Sequence, residues 1–163
     1  MTQLLFGQSY YLRFDQKLWA AMQPYPPLGT LYAASYMREQ GYDVALFDAM
    51  LAESEEEWAA ALITHQPDYA IIYEDNFNYL SKMCLLRMRE AAFTMINMAQ
   101  QHNIPVIIAG SDGSDHAEQY LEAGAEYVLL GEGEETLREL LGMLTGRIKT
   151  APDKILGLAH TQN

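Results

Sequence analysis

The residues with chemistry to offer lie in polar or glycine-rich clusters that follow short apolar runs. Gly110-Ser111-Asp112-Gly113-Ser114 follows Val106-Ile107-Ile108-Ala109, and Gly131-Glu132-Gly133-Glu134 follows Tyr127-Val128-Leu129-Leu130. Glycine permits backbone conformations and close ligand approaches that a Cβ blocks, although glycines after strands also simply make turns. A third cluster, Glu74-Asp75-Asn76-Phe77-Asn78-Tyr79, offers carboxylates and amides either to a ligand or as the cap of the helix that follows. A fourth, Tyr25-Pro26-Pro27-Leu28-Gly29-Thr30, opens a helix whose unpaired amides can hold a polar or anionic group. Tyr10, Tyr11, Tyr25, Tyr73 and Tyr79 are expected to crowd the same edge and to frame a large flat ligand.

These clusters bind better than they catalyse. His65 and His102 fall near helix C-termini, where partial positive charge is favourable, so their expected role is structural. His116 borders the glycine-rich cluster at a helix start, and His160 lies in the C-terminal tail. The sequence has no glycine-flanked serine elbow, no paired histidines on one helix and no Walker-type lysine loop. Its one cysteine, Cys84, excludes a disulfide framework and any multi-cysteine zinc or iron–sulfur site within this chain. The chain alone is therefore read as non-catalytic.

Positioning such clusters at one edge requires an alternating α/β chain. Leu4 to Gly7, Val44 to Asp48, Tyr69 to Glu74, Val106 to Gly110 and Tyr127 to Leu130 are nearly continuously apolar, as expected of parallel strands covered on both faces. Between them, Leu28, Leu31, Tyr32, Ser35 and Tyr36 form one helical stripe ending at Gly41. Ser54 and Glu57 have capping-box spacing ahead of Trp58, Ala61 and Leu62. Cys84, Met88, Ala91, Met95, Met98 and His102 make a core stripe, a fourth helix is expected over about Asp115 to Ala123 before Gly124, and Leu137, Leu140, Leu141 and Leu144 precede Gly146.

Right-handed crossovers then give a three-layer, open, parallel five-stranded sheet, flavodoxin-like or Rossmann-like, in strand order 2-1-3-4-5. In such a sheet ligands sit beyond the carboxyl ends of the strands, which is where the four clusters fall. The stretch Gln8 to Pro27 exceeds an ordinary strand-to-helix link and is expected to hold a short helix over Gln16 to Met22. One domain is expected over 1–146. Residues 147–163 read as a linker or the start of a following domain, whose apolar run Ile155 to Ala159 is expected to lack a partner here.

A formal net charge of −12 on 163 residues argues against a nucleic-acid partner, since phosphate backbones are bound through Lys and Arg. Lys82, Arg87 and Arg89 read as a solvated helix face. No apolar run approaches the roughly 20 residues of a membrane helix and no signal peptide is visible, so no membrane partner and a cytoplasmic location are expected.

Two motif sets together resemble the cobalamin-binding domain found at the N-terminus of radical SAM proteins. Pro26-Pro27-Leu28-Gly29-Thr30-Leu31-Tyr32-Ala33-Ala34, with Arg38-Glu39-Gln40-Gly41-Tyr42-Asp43-Val44 and Phe47-Asp48-Ala49, is similar to that family's opening loop, first helix and second strand. Val106-Ile107-Ile108-Ala109-Gly110, Gly124-Ala125-Glu126-Tyr127-Val128 and Gly131-Glu132-Gly133-Glu134-Glu135-Thr136-Leu137 resemble its closing half.

The resemblance implies cobalamin across the carboxyl edge, contacted by Tyr25, Pro27, Leu28, Gly29, Thr30, Glu74, Asp75, Asn76, Gly110, Ser111, Asp112, Gly113, Ser114, Gly131, Glu132, Gly133 and Glu134. It further implies that a [4Fe-4S] cluster and S-adenosylmethionine belong to a downstream radical SAM domain, in a parent enzyme of the methyltransferase or a related carbon-centred radical type. The chain has no Asp-x-His-x-x-Gly loop, and Tyr25 to Thr30 contains no imidazole. Base-off cobalamin without a histidine ligand is therefore expected. The alternative is a domain that keeps the fold without the cofactor and serves as a structural or protein-interaction module.

Overall fold

The apolar runs become strands because each is covered on both faces. The computed structural model describes residues 1–74 and 85–161. It contains β1 (Gln3–Gly7), α1 (Gln16–Ala21), α2 (Leu28–Glu39), β2 (Asp43–Leu46), α3 (Glu56–His65), β3 (Tyr69–Tyr73), α4 (Leu85–Gln101), β4 (Val106–Ala109), α5 (Ser111–Asp115), α6 (Ala117–Glu122), β5 (Tyr127–Leu129), α7 (Glu134–Leu144) and β6 (Leu158–His160). Short 3-10 turns lie at Leu12–Phe14 and Pro152–Lys154. Along β1, Leu4 and Phe6 point into one core with Ala33 and Met37 of α2 and Leu137, Leu140 and Leu141 of α7. Leu5 points into the other, with Trp58 and Leu62 of α3, Met95 and Ile96 of α4 and Tyr120 of α6. This alternation places the sheet between two helical layers.

The sheet corrects the expected five-stranded parallel one. It has six strands in the order β2-β1-β3-β4-β5-β6. The first five are mutually parallel, while β6 runs antiparallel to β5, with Leu129 opposite Leu158 and Tyr127 opposite His160. The Ile155 to Ala159 run therefore has a partner. Ile155 is buried against the α2/α7 core, Leu130 N donates to Gly157 O at 2.7 Å, and Thr136 Oγ1 donates to Leu156 O at 3.1 Å. Pairing β6 satisfies a strand edge that would otherwise stand open. A chain ending at Gly146 is expected to lose about 2–4 kcal/mol, since burial of an isoleucine alone contributes roughly 1.5–3. Urea unfolding measures this, and an unchanged midpoint would show the tail to be dispensable to the sheet.

Local expectations fared unevenly. The short helix in the first loop forms as α1, capped by Asp15, which accepts from Lys17 N at 3.1 Å and Leu18 N at 3.0 Å. Met88, Ala91 and Met95 line the core and Met98 is half-buried, but His102 is exposed beyond the end of α4. Cys84 lies outside the described residues. The Ser54–Glu57 capping box does not form. Helix α3 begins at Glu56 behind Glu55, and Glu57 Oε1 instead accepts from Glu53 N at 2.6 Å. The helix expected over about 115–123 forms as α6 over Ala117–Glu122, preceded by the unexpected short helix α5, the two broken at His116, whose φ of −131° leaves the helical range.

The largest correction concerns α2. Its buried residues are Gly29, Thr30, Ala33, Ala34 and Met37, so of the expected stripe of Leu28, Leu31, Tyr32, Ser35 and Tyr36 none is fully buried: Leu31, Ser35 and Tyr36 are half-buried and Leu28 and Tyr32 face outward. Leu28 is 60% and Tyr32 69% exposed. Small side chains let the helix axis approach the sheet, and Thr30 Oγ1, fully buried, donates to Tyr73 O at 2.6 Å at the end of β3. Close approach and a satisfied carbonyl outweigh the larger apolar area of the other face.

Candidate functional site

The described parts of all four clusters meet at the carboxyl edge, held there by bonds between loops rather than within them. At the end of β1, Gln8 and Ser9 are buried, and Glu74 at the end of β3 accepts from Ser9 Oγ at 2.6 Å and Ser9 N at 3.2 Å. Leu12, Tyr10, Met50 and Met88 form a small apolar cluster against which Leu18 and Tyr25 pack, fixing the long first loop over the edge. The Tyr10 and Tyr25 rings lie 5.9 Å apart. Tyr25 is thus half-buried, Pro27 is the buried residue preceding α2, and Gly29 and Thr30 pack inward while Leu28 faces out.

Across the edge, Ser114 joins the fourth and fifth strand ends. Its Oγ donates to Gly110 O at 3.0 Å and accepts from Gly131 N at 2.9 Å. Gly131 has φ +79° with open space where a Cβ would sit, so it is the glycine of this edge that both needs its backbone freedom and leaves room beside it. Gly133 caps α7 with no side-chain bond, above the Tyr73 hydroxyl, which a Cβ there would meet at 3.0 Å. Burial, then the hydrogen bond and charge of Glu134, push the Tyr73 phenol well above its ordinary range, so it remains a neutral donor. Glu132 is exposed and Glu134 half-buried.

Two of the expected contact residues, Asp112 and Gly113, are used by the fold instead. Gly110-Ser111-Asp112-Gly113-Ser114 is not an open loop but the start of α5. A Cβ on Gly113 would stand 2.9 Å from Ile108 Cγ2, so this glycine serves helix–sheet packing. Asp112 is 8% exposed and takes a bidentate pair from Arg89, with Nε at 2.7 Å and Nη2 at 2.6 Å, plus the Tyr120 hydroxyl at 2.9 Å. Burial alone would raise the Asp112 pKa. The Arg89 and Tyr120 hydrogen bonds, with the charges of Arg89 and His116, outweigh it and hold the carboxyl below its usual range. Arg89 is accordingly not on a solvated face, and Arg87 pairs with Glu55 and Glu90 while stacking 3.8 Å over Phe14. Lys82 lies outside the described residues, as do Asp75, Asn76, Asn78 and Tyr79. Ser111 is exposed. The tyrosines contribute less open surface than expected, because Tyr10, Tyr11 and Tyr73 are buried.

Sequence reasoning passed over Gln8 and Ser9. Both immediately follow β1, so the carboxyl-edge rule already pointed at them. Gln8 Nε2 and the Tyr11 hydroxyl are buried without a hydrogen-bond partner. Such orphans are rare in a folded interior and mark a place where a water or ligand completes the bonding. Among the described residues no three His, Cys, Asp or Glu side chains gather as a metal site, and no helix is long and apolar enough to cross a membrane. The edge as a whole offers amide, hydroxyl, carboxylate and backbone groups.

Comparison with known proteins gives two positive findings. A model of the B12 binding domain matches residues 20–141. Among solved structures, 14 chains are significantly similar. One is the cobalamin-dependent S-adenosylmethionine radical enzyme OxsB with aqua-cobalamin and S-adenosylmethionine bound, at a TM-score of 0.67 and 20% identity. The similarity covers 99% of this chain and 21% of that one, so this chain spans about a fifth of that protein's length, and the likeness is one of fold. No curated protein matches the sequence significantly.

Proposed function

The chain belongs to the B12 binding domain family, and from that premise we propose that it holds cobalamin at the carboxyl edge of its sheet as the cofactor module of a larger, cytoplasmic radical SAM enzyme. The observation that carries this reading is the match over residues 20–141, which spans all four edge clusters. The residues fit the cofactor. A corrin rim carries neutral carboxamides, which need both donors and acceptors, and the unpartnered Gln8 Nε2 is a donor of that kind. Gly131 leaves open space, and the uncapped start of α7 supplies backbone donors suited to the anionic nucleotide tail.

In this reading cobalamin, when bound, supplies the cobalt–carbon chemistry, while the chain binds and orients it. Tyr25, Pro27, Leu28, Gly29 and Thr30 form one wall, Glu74 the second, and Gly110 to Ser114 with Gly131 to Glu134 the third; Asp75 and Asn76, outside the described residues, are further expected contacts. Asp112 and Gly113 act through the fold, by fixing α5. The [4Fe-4S] cluster and S-adenosylmethionine belong to a further domain, for which a downstream Cys-x-x-x-Cys-x-x-Cys motif in the gene is the expected sign. Residues 147–163 then lead toward that domain after adding their strand.

The cofactor is held base-off without a histidine ligand. The Tyr25 to Thr30 segment has no imidazole, and His116 sits with Nε2 3.9 Å from Asp112 Oδ1, on the carboxylate that Arg89 already grips. Titrating the protein with hydroxocobalamin, then reducing to cobalt(II), is expected to give a base-off visible spectrum and a paramagnetic resonance signal without nitrogen superhyperfine splitting. Splitting that vanishes in a His116→Ala variant would refute the histidine-free site. Absence of binding at micromolar cobalamin would favour the interaction-module reading.

A further inference from the structure

The amino edge of the sheet, opposite the candidate site, carries a cleft of about 680 Å³ between the turns that leave α3 and α4. Ile63, Gln66 and Asp68 line one side of it, and His102, Asn103 and Ile104 the other. The two turns are built alike. Each helix runs out through a left-handed amide residue, Gln66 at φ +43° and Asn103 at φ +56°, and each has a proline four residues after a carbonyl of its last turn. Pro67 and Pro105 have no N–H, so Ile63 O and Gln101 O lack the donor that a continuing helix would supply. Asp68 N, next in line for Thr64 O, donates instead to Gln3 O at 2.9 Å. Asp68 Oδ2 in turn accepts from Gln3 N at 2.8 Å, which holds the carboxylate in the cleft wall.

We propose that this cleft binds a linear aliphatic diamine, with one ammonium at each helix end. Both helix C-termini border it, each a centre of partial negative charge whose unmet carbonyls accept only from a donor brought to them. Asp68 adds a full negative charge, and among the described residues lining the cleft there is no lysine or arginine to neutralise it. An ammonium matches such a cup, since it is a cation with three donors and no acceptor. Ile63, 58% exposed, and Ile104, half-buried, give a methylene chain apolar surface between the two ends. Helices α3 and α4 are neighbours on one face of the sheet, and packed helices lie about 8–10 Å apart, a span that a chain of roughly four to six carbons bridges. The net charge of −12 concentrates dications near the chain, while the paired helix ends choose where they bind. A metal ion fits less well, because among the described residues no three His, Cys, Asp or Glu side chains gather to ligate one. The cleft is at the far edge of the sheet from the cofactor's clusters, so the inference does not rest on cobalamin binding.

The test titrates the whole chain, labelled with nitrogen-15, with putrescine. Saturable shifts are expected at Leu62 to Gln66, at Asp68 and at His102 to Ile104. Butylamine, which can fill one helix end only, is expected to bind about tenfold more weakly, since it forgoes one set of charge-assisted hydrogen bonds. Asp68→Asn is expected to raise the putrescine dissociation constant about fivefold, the scale of one exposed ion pair, while keeping an oxygen for Gln3 N. Asp68 is exposed, so unchanged resonances elsewhere in that variant show that the fold is kept. Hydroxocobalamin is expected to leave the putrescine shifts in place. Equal affinity for putrescine and butylamine would overturn the proposal, as would shifts scattered over the acidic surface. So would an Asp68→Asn chain that binds putrescine as the wild type does, or displacement of putrescine by hydroxocobalamin.

Discussion

Replacing Arg89 with methionine is expected to lower the unfolding free energy by about 2–4 kcal/mol, because it strands the buried Asp112 carboxylate on the Tyr120 hydroxyl. The Arg89 side chain is 16% exposed, which moderates the effect relative to a wholly buried pair. Methionine keeps most of the apolar stem, so the loss reports the charge rather than the packing. The double variant Arg89→Met/Asp112→Leu is expected to recover much of the loss, since removing both charges removes the unmet desolvation cost. A double variant no more stable than Arg89→Met would show that packing, not the ion pair, holds α4 to α5. The dependence on pH has a definite sign. Asp112 has a depressed pKa in the folded protein, so its contribution is fully present above the unfolded carboxyl value near 3.9. That contribution is lost as pH falls through the folded value, and urea midpoints of the wild type and of Arg89→Met are therefore expected to converge below about pH 4. The candidate site inherits this dependence because Ser114, on the same short helix, ties the fourth strand end to Gly131.

Trp58→Ala is expected to cost still more, about 3–5 kcal/mol, through the cavity it leaves. Trp58 is fully buried on the α3 side of β1, stacks edge-on with Phe47 at 5.4 Å, and donates Nε1–H to Met95 O at 3.1 Å. Its ring also explains Gly7, where a Cβ would lie 2.8 Å from Cζ3. Gly7→Ala alone is expected to destabilise by about 1–3 kcal/mol through overpacking against a ring that has nowhere to move. In a Trp58→Leu background the same change is expected to be close to neutral, because the smaller side chain yields the space. Denaturant unfolding of the four proteins closes the cycle. Equal costs of Gly7→Ala in both backgrounds would mean that the glycine is needed for some other reason. Gln8 and Ser9 follow directly, so a shifted Gly7 backbone is expected to disturb the Ser9–Glu74 bonds at the head of the candidate site.

The alternation of strands and helices, the expected sequence of the first five strands and the gathering of polar clusters at one edge were all legible from apolar runs and their spacing. These depend on local patterns, and parallel connections leave few topologies to choose from. The sixth strand was not legible. Ile155 to Ala159 looks like an unpartnered run until its pairing with β5 is known, and antiparallel return depends on a contact some 30 residues distant in sequence, between Leu129 and Leu158. Likewise Gly110 to Ser114 reads as a ligand loop by composition. Whether Gly113 opens toward a ligand or closes onto Ile108 depends on which side chain stands beneath it.

The sequence by itself determined the layered α/β architecture and membership in the B12 binding domain family, because periodicity and motif are properties of neighbouring residues. Tertiary structure decided which surfaces that plan leaves free. Helix α2 has two candidate inner faces, and periodicity favours the one with Leu28 and Tyr32 for its greater apolar area. The folded chain buries the other. Gly29, Ala33 and Ala34 bring the helix close enough to the sheet for Thr30 to reach the Tyr73 carbonyl, and that distance is set jointly by α2 and β3. No hydrophobic pattern within either element encodes it, since packing density and hydrogen-bond satisfaction are properties of the pair.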